Sequence, residues 1–319
     1  MAIAREAEPA PARSAVVLAF LAVYVLWGSS YLGIAWAIAS IPPFLMAGSR
    51  MFVAGVILTA WAASRGAERP SAREMRSCAI LGLLMLCVGN GAVTFAELTS
   101  ASGRVALIVA MTPVWFVLIE WLRPGGTRPT GLVVMGLLTG AAGVALLVGP
   151  DAFGGSSAAV VTGELVVLVG TLSWAAGSMF ARQTPLPQSS ALASGLQMLW
   201  AGVFLATFGL LRGEWTVLDV AHITTRSWVG VVWLVLFPSL IGYSAYTWIL
   251  KVSTPAKVGT YAYVNPVVAV ALGWAFANEP VTGRMLAAAA VIVAGVALIT
   301  WGKSSSSASM YAEAEAEHA

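Results

Sequence analysis

Apolar runs of about twenty residues follow one another along nearly the whole chain, separated by short stretches of Pro, Gly and charge. A run of that length crosses the ~30 Å hydrocarbon core of a bilayer as an α-helix, because lipid offers no partner to an unpaired backbone group. Of the 319 residues, 59% are hydrophobic and only 10% charged, against roughly 25% charged in a soluble domain. A soluble fold could not cover so much apolar surface. The pattern places ten spans at 14–38, 44–63, 77–95, 104–121, 131–149, 160–181, 189–211, 227–249, 256–276 and 284–302. The breaks have chemical causes: Pro42-Pro43, Arg65 to Arg76, Ser100 to Gly103, Pro124-Gly125-Gly126, Pro150 with Gly154-Gly155, and Pro185 with Pro187. The fold expected is an all-α integral membrane protein of ten transmembrane helices. Its first run follows Arg5 and Arg13 as a signal peptide would, but it is too long for a signal core and reads as a retained span.

The spans are written twice. Trp27 and Trp174 are 147 positions apart, and the same offset takes Arg50-Met51 to Gln197-Met198, Ala54-Gly55 to Ala201-Gly202 and Arg65-Gly66 to Arg212-Gly213. An offset of 153 then takes Arg104 to Lys257 and Pro113 to Pro266, and a one-residue gap aligns Ala142 to Leu146 with Ala294 to Leu298. The chain therefore divides into an N-terminal segment (1–13), a first five-helix unit (14–149), a second (160–302) and a tail (303–319). The tail, Ser-rich and then alternating Ala and Glu, has the composition of a disordered segment. Five spans is an odd number, so each unit ends on the side opposite its start and the second must be inverted relative to the first. Inverted repeats are a recurring plan for secondary transporters, whose site lies near mid-membrane between the halves.

Loop charge orients the chain. With the N-terminus in the cytoplasm, the inner segments hold Arg5, Arg13, Arg65, Arg69, Arg73, Arg76, Arg123, Arg128, Arg182, Lys251, Lys257 and Lys303. The outer segments hold only Arg104, Arg212, Arg226 and Arg284, leaving Arg50 within a span. That excess satisfies the positive-inside rule and puts both termini in the cytoplasm.

Several chemistries find no support. The net charge of +3 is spread between apolar runs, not gathered in a stripe that would bind nucleic acid. Cys78 and Cys87 fall on opposite sides of one helix and cannot pair. His222 and His318 are isolated from any metal-site spacing, so no metal and no cofactor is expected. There is no nucleotide-binding P-loop and no acid–His–nucleophile set, so the chain does not read as an enzyme.

Five stretches carry a resemblance: Trp27-Gly28-Ser29-Ser30-Tyr31, Pro42-Pro43 through Arg50, Gly89-Asn90-Gly91, Tyr261-Ala262-Tyr263-Val264-Asn265-Pro266, and Asn278-Glu279-Pro280 with Ala294-Gly295-Val296. Over roughly residues 15–302 the chain resembles the EamA-type branch of the drug/metabolite transporter superfamily. The resemblance implies a bacterial inner-membrane carrier that moves small metabolites outward, amino acids foremost, by alternating access. The first half departs from the pattern: where many members carry Gly-Glu after the fourth helix, this chain has Arg123-Pro124-Gly125-Gly126, so only Glu279 remains of that pair of acids. A passive facilitator, an exporter of other amphipathic solutes and a metabolite-binding receptor stay open beside the amino-acid reading. The partners expected are a small-molecule substrate and the lipid bilayer.

Candidate site residues are those that lipid penalises. Arg50 lies about six residues past Phe44, ~9 Å into its helix, where an arginine costs about 2.5–3.5 kcal/mol and is functional by default. It either attracts a substrate carboxylate or snorkels to the interface. Asn90, Thr94 and Glu97 share one helix face. Asn90 suits substrate contact; Glu97 either couples a proton or pairs with Arg104 at the membrane edge. Tyr24, Trp27 and Tyr31 recur at helical spacing on the first helix, Ser239, Tyr243 and Tyr246 on the eighth, and Tyr261 and Asn265 on the ninth. Rings there can line a solute path, Trp27, Tyr243 and Tyr261 being nearest mid-span, whereas Trp121, Trp215, Trp228 and Trp301 fit an interfacial belt. Pro113, Pro238 and Pro266 interrupt helices, as hinges or as static kinks. Glu120 and Glu164, near helix ends, fit solvent exposure or pairing with Arg123. Gly136-x-x-x-Gly140 marks close helix packing, inside one chain or across a homodimer.

Overall fold

A computed structural model of the chain describes residues 12–126, 128–152, 157–253, 258–259 and 261–317. Among these there is no strand. Seven helices are long and apolar enough to cross a membrane: α1 (Arg13–Ile38), α2 (Pro43–Ser64), α3 (Ala72–Ala96), α4 (Ser102–Leu122), α6 (Ala158–Ala181), α7 (Ser190–Leu211) and α8 (Thr225–Val252). Between and after them lie α5 (Gly131–Ala152), α9 (Tyr261–Ala277) and α10 (Gly283–Glu317), whose apolar parts are shorter. The sites marked by Arg5, Gly154-Gly155, Lys257 and His318 lie outside the described residues.

Two boundaries differ from the sequence expectation for identifiable reasons. The third helix begins at Ala72, so Arg73 and Arg76 stand on its first turns instead of in a loop. Ser71 sets that start through a capping box: its hydroxyl accepts from Glu74 N (3.3 Å) while Glu74 Oε2 accepts from Ser71 N (2.7 Å). At the other end, α10 continues as helix to Glu317, through the segment that composition marks as a tail.

Packing is dominated by two long pairs, α2 against α7 and α5 against α10. In the first, a Cβ added to Gly55 would meet Leu199 N at 2.6 Å, and one added to Gly202 would meet Phe52 N at 2.6 Å. These two glycines, equivalent under the 147 offset, let the backbones touch, the usual way helices associate without a hydrophobic drive. The Gly136-x-x-x-Gly140 motif serves the second pair, fitting around Gly295 of the same chain. Around these, α1 packs on α8 and α9, while α6 packs on α3 and α4. Large apolar side chains such as Leu138, Val169, Leu211 and Trp274 point outward, which suits lipid and not water.

Candidate functional site

Between these helices lies a cavity. Trp27, Arg50, Asn90, Tyr243, Tyr261 and Asn265 all line it, with Pro238. Glu97, Pro113 and Pro266 are not among its walls.

Local winding brings several of these residues to the cavity. Three helices carry π-wound stretches beside it: Val23–Trp27 in α1, Gly82–Asn90 in α3 and Val235–Tyr243 in α8. A π turn widens the helix and rotates the residues beyond it, a common device at functional sites. The three stretches end on Trp27, Asn90 and Tyr243, all wall residues. Pro238 lies inside the third, where the missing N–H loosens the ladder, and its carbonyl accepts from Trp27 Nε1 (3.3 Å). Pro113 has a different setting from the mid-helix kink expected of it. The fourth helix breaks after Val109 and restarts at Thr112, placing Pro113 in a first turn, where its lost N–H costs nothing. Pro266 does sit inside a helix, α9.

Three polar wall residues, Arg50, Asn90 and Tyr243, take part in two matched pairs. Arg50 Nη2 donates to Asn90 Oδ1, and Tyr243 donates its hydroxyl to Gln197 Oε1 at 2.5 Å. Gln197 is the 147-offset partner of Arg50. The two nine-residue π stretches fix the offset at 153, which makes Tyr243 the partner of Asn90. One half thus carries a charged pair where the other carries a neutral one. Three buried polar atoms of wall residues have no hydrogen-bond partner among the described residues: Arg50 Nε, Ser239 Oγ and Asn265 Oδ1. Their residues are 2%, 2% and 4% exposed. A buried polar atom left unpaired costs about 1–3 kcal/mol, so these three favour a polar occupant.

Aromatic rings cluster at the wall, with Trp27, Trp174 and Tyr261 lining it. Trp27 stands edge-on to Trp174 (5.4 Å between centroids) and to Tyr261 (5.4 Å), and 4.7 Å from Tyr246. The Tyr246 hydroxyl accepts from Trp174 Nε1 (3.2 Å) and lies 3.1 Å from Ser178 Oγ. Each tryptophan rests on a glycine near the end of a π stretch: a Cβ on Gly242 would meet Trp27 Nε1 at 2.8 Å, and one on Gly89 would meet Trp174 at 3.2 Å. Sequence reading missed Trp174, a wall residue, and Gln197, which holds Tyr243, although the signal was available, since they are the repeat partners of Trp27 and Arg50.

The acids are arranged differently from expectation. Arg104 pairs with Glu164, not with Glu97, and Glu164 is buried instead of exposed. Glu120 does pair with Arg123, at 2.5 Å. Glu279 caps the start of α4, accepting from Ser102 N (3.0 Å), Ser102 Oγ (2.9 Å) and Gly103 N (3.3 Å). Glu214 does the same for α2, accepting from Phe44 N (3.2 Å) and Leu45 N (2.8 Å). Gly126, where the resemblance leads one to expect an acid, has no room for one: a Cβ there would collide with Glu120 O. Glu97 is only 9% exposed, and neither carboxylate oxygen makes a hydrogen bond of normal geometry among the described residues.

These features define a class, helical membrane proteins with a cavity of polar and aromatic groups between their helices. The chain belongs to the EamA-like transporter family, whose model matches residues 13–149 and again 161–301. An uncharacterized inner membrane transporter of Escherichia coli, YedA, is 36% identical over 286 residues, covering 89% of this chain and 90% of its own. The uncharacterized transporter YvbV of Bacillus subtilis is 27% identical, covering 90% and 91%. A probable terminal-alkyne amino-acid exporter of Streptantibioticus cattleyicolor is 26% identical, covering 90% and 93%. One solved crystal structure, 22% identical, shares the fold with a TM-score of 0.63 over 91% of this chain and 98% of its own. The protein is thus a multi-pass inner-membrane transporter.

Proposed function

We propose that this protein exports small amphipathic metabolites, amino acids first among them, across the bacterial inner membrane by alternating access. The observation that carries this reading is the set of unpartnered buried groups on the cavity wall. Arg50 offers a cation to a carboxylate, Asn265 Oδ1 offers an acceptor to an ammonium, and Ser239 offers a hydroxyl to either. The surrounding rings accept an apolar or aromatic side chain and add cation–π attraction for the ammonium. The relative named as an amino-acid exporter supports the same substrate class.

The transport cycle rests on ten spans arranged as two inverted five-helix units with both termini in the cytoplasm. The reciprocal packing of α1 on α8 and α9, and of α6 on α3 and α4, supports that arrangement. Counterflow of labelled amino acids into liposomes holding the purified protein tests the function. Arg50→Gln, which copies the neutral half, should cut counterflow of carboxylate-bearing solutes at least tenfold. Absence of counterflow for every amino acid would overturn the amino-acid assignment. Movement of neutral amphipathic solutes in its place would favour the broader exporter.

A further inference from the structure

The buried carboxylates Glu164 and Glu214 are answered within the protein, the first by Arg104 and the second by backbone N–H groups at the start of α2. Arg50 is answered differently. It is 2% exposed, its Nη2 donates to the neutral Asn90, its Nε has no partner, and no carboxylate pairs with it among the described residues. A guanidinium is charged at neutral pH and has donors only, so Asn90 must turn its amide oxygen, not its amide nitrogen, toward it. That oxygen fixes where the guanidinium lies and brings no opposite charge. Both residues stand on the cavity wall, and among the described wall residues Arg50 alone is charged. The equivalent place in the other half holds the neutral pair of Tyr243 and Gln197.

Resting on the reading of Arg50 as a carboxylate site, we propose that Asn90 sets the charge preference of the cavity. As a neutral acceptor it holds the guanidinium on the wall and leaves its charge uncompensated. A buried cation without a counter-ion is costly, so the anion is left for the ligand to bring. Asn90→Asp keeps the shape and the hydrogen bond but supplies that anion from within the protein. A ligand carboxylate would then meet an acid beside a cation that is already paired, and an ammonium would no longer be repelled. The preference for carboxylates over amines thus turns on one group, amide against carboxylate, and not on the arginine alone. Asn90 acts through Arg50, which makes it a positioning residue whose neutrality matters as much as its hydrogen bond.

The test is isothermal titration calorimetry on the full chain in detergent at neutral pH. The probes are L-phenylalanine, phenylpropionate, which lacks its ammonium, and phenethylamine, which lacks its carboxylate. The unaltered protein should bind phenylpropionate about tenfold or more tighter than phenethylamine, the worth of a hydrogen bond to a charged group. Asn90→Asp should weaken phenylpropionate by about the same factor and bring phenethylamine level with it or ahead. Asn90→Ser, which stays neutral, should keep the order of the two probes even where both weaken. An unchanged order in Asn90→Asp, an equal loss for both probes, or an inverted order in Asn90→Ser would overturn the inference, and binding of L-phenylalanine would leave the amino-acid reading in place. Failure of the unaltered protein to bind phenylpropionate and L-phenylalanine would overturn the carboxylate role of Arg50 and this inference with it. If Asn90→Asp does not fold, the unaltered protein decides. Equal affinity for phenylpropionate and phenethylamine would mean that the Arg50 charge is already compensated, and the inference would fall.

Discussion

Tyr243 and Gln197 share a fully enclosed hydrogen bond at the place where the other half holds Arg50 and Asn90. Removing one partner strands the other, which costs about 1–3 kcal/mol; removing both costs less. Tyr243→Phe should therefore lower the thermal midpoint, and adding Gln197→Leu should recover part of the loss. A double variant no more stable than the sum of the singles would show that the bond contributes nothing. At this scale much of the site could be read from sequence, because lipid makes every interior polar residue conspicuous. Arg50, Asn90 and Asn265 stand out for that reason, and all three meet at one cavity. Partnership was not legible. Arg104 is near Glu97 in sequence yet pairs with Glu164 from another helix, a choice made by packing that spacing cannot express.

Among elements, the apolar runs located the helices, while their internal irregularities were hidden. Nothing in Gly82–Asn90 distinguishes π from α winding, because both satisfy the backbone internally and differ by one residue in phase. That phase is what aligns Asn90 with Tyr243. Small residues were the more readable signal, as at the α2–α7 contact. Gly202→Val should push its side chain into the Phe52 backbone, already 2.6 Å from an added Cβ, and a rigid neighbour cannot yield. The expected loss is at least the ~1–3 kcal/mol of an overpacked core, read as a lower thermal midpoint and poor recovery of folded protein. Leu211→Val on the exposed end of the same helix should change little, and equal damage from both would undo the close-contact argument.

Across the whole molecule, the two halves are joined at one end by carboxylates that both come from the second half. Glu214 holds the start of α2 and Glu279 the start of α4, each neutralising free N–H groups at the positive end of a helix dipole. The counterparts in the first half are absent by sequence: the offset partner of Glu214 is Ala67, and that of Glu279 is Gly126, where the turn excludes any side chain. The start of α7, which corresponds to that of α2, is instead capped by its own Ser189 (3.3 Å to Leu192 N). Among the described residues, the starts of α2 and α4 are thus held by second-half acids, whereas the start of α7 is held from its own half. Glu214→Ala and Glu279→Ala should each cost about 0.5–2 kcal/mol, the usual value of a helix cap. Because the two acids hold different helices, thermal melts of the singles and the double should add within about 0.5 kcal/mol if each acid only caps its helix. A double variant markedly less stable than that sum would mean the tied face opens as a unit. A double variant no worse than either single would deny both carboxylates a role in joining the halves.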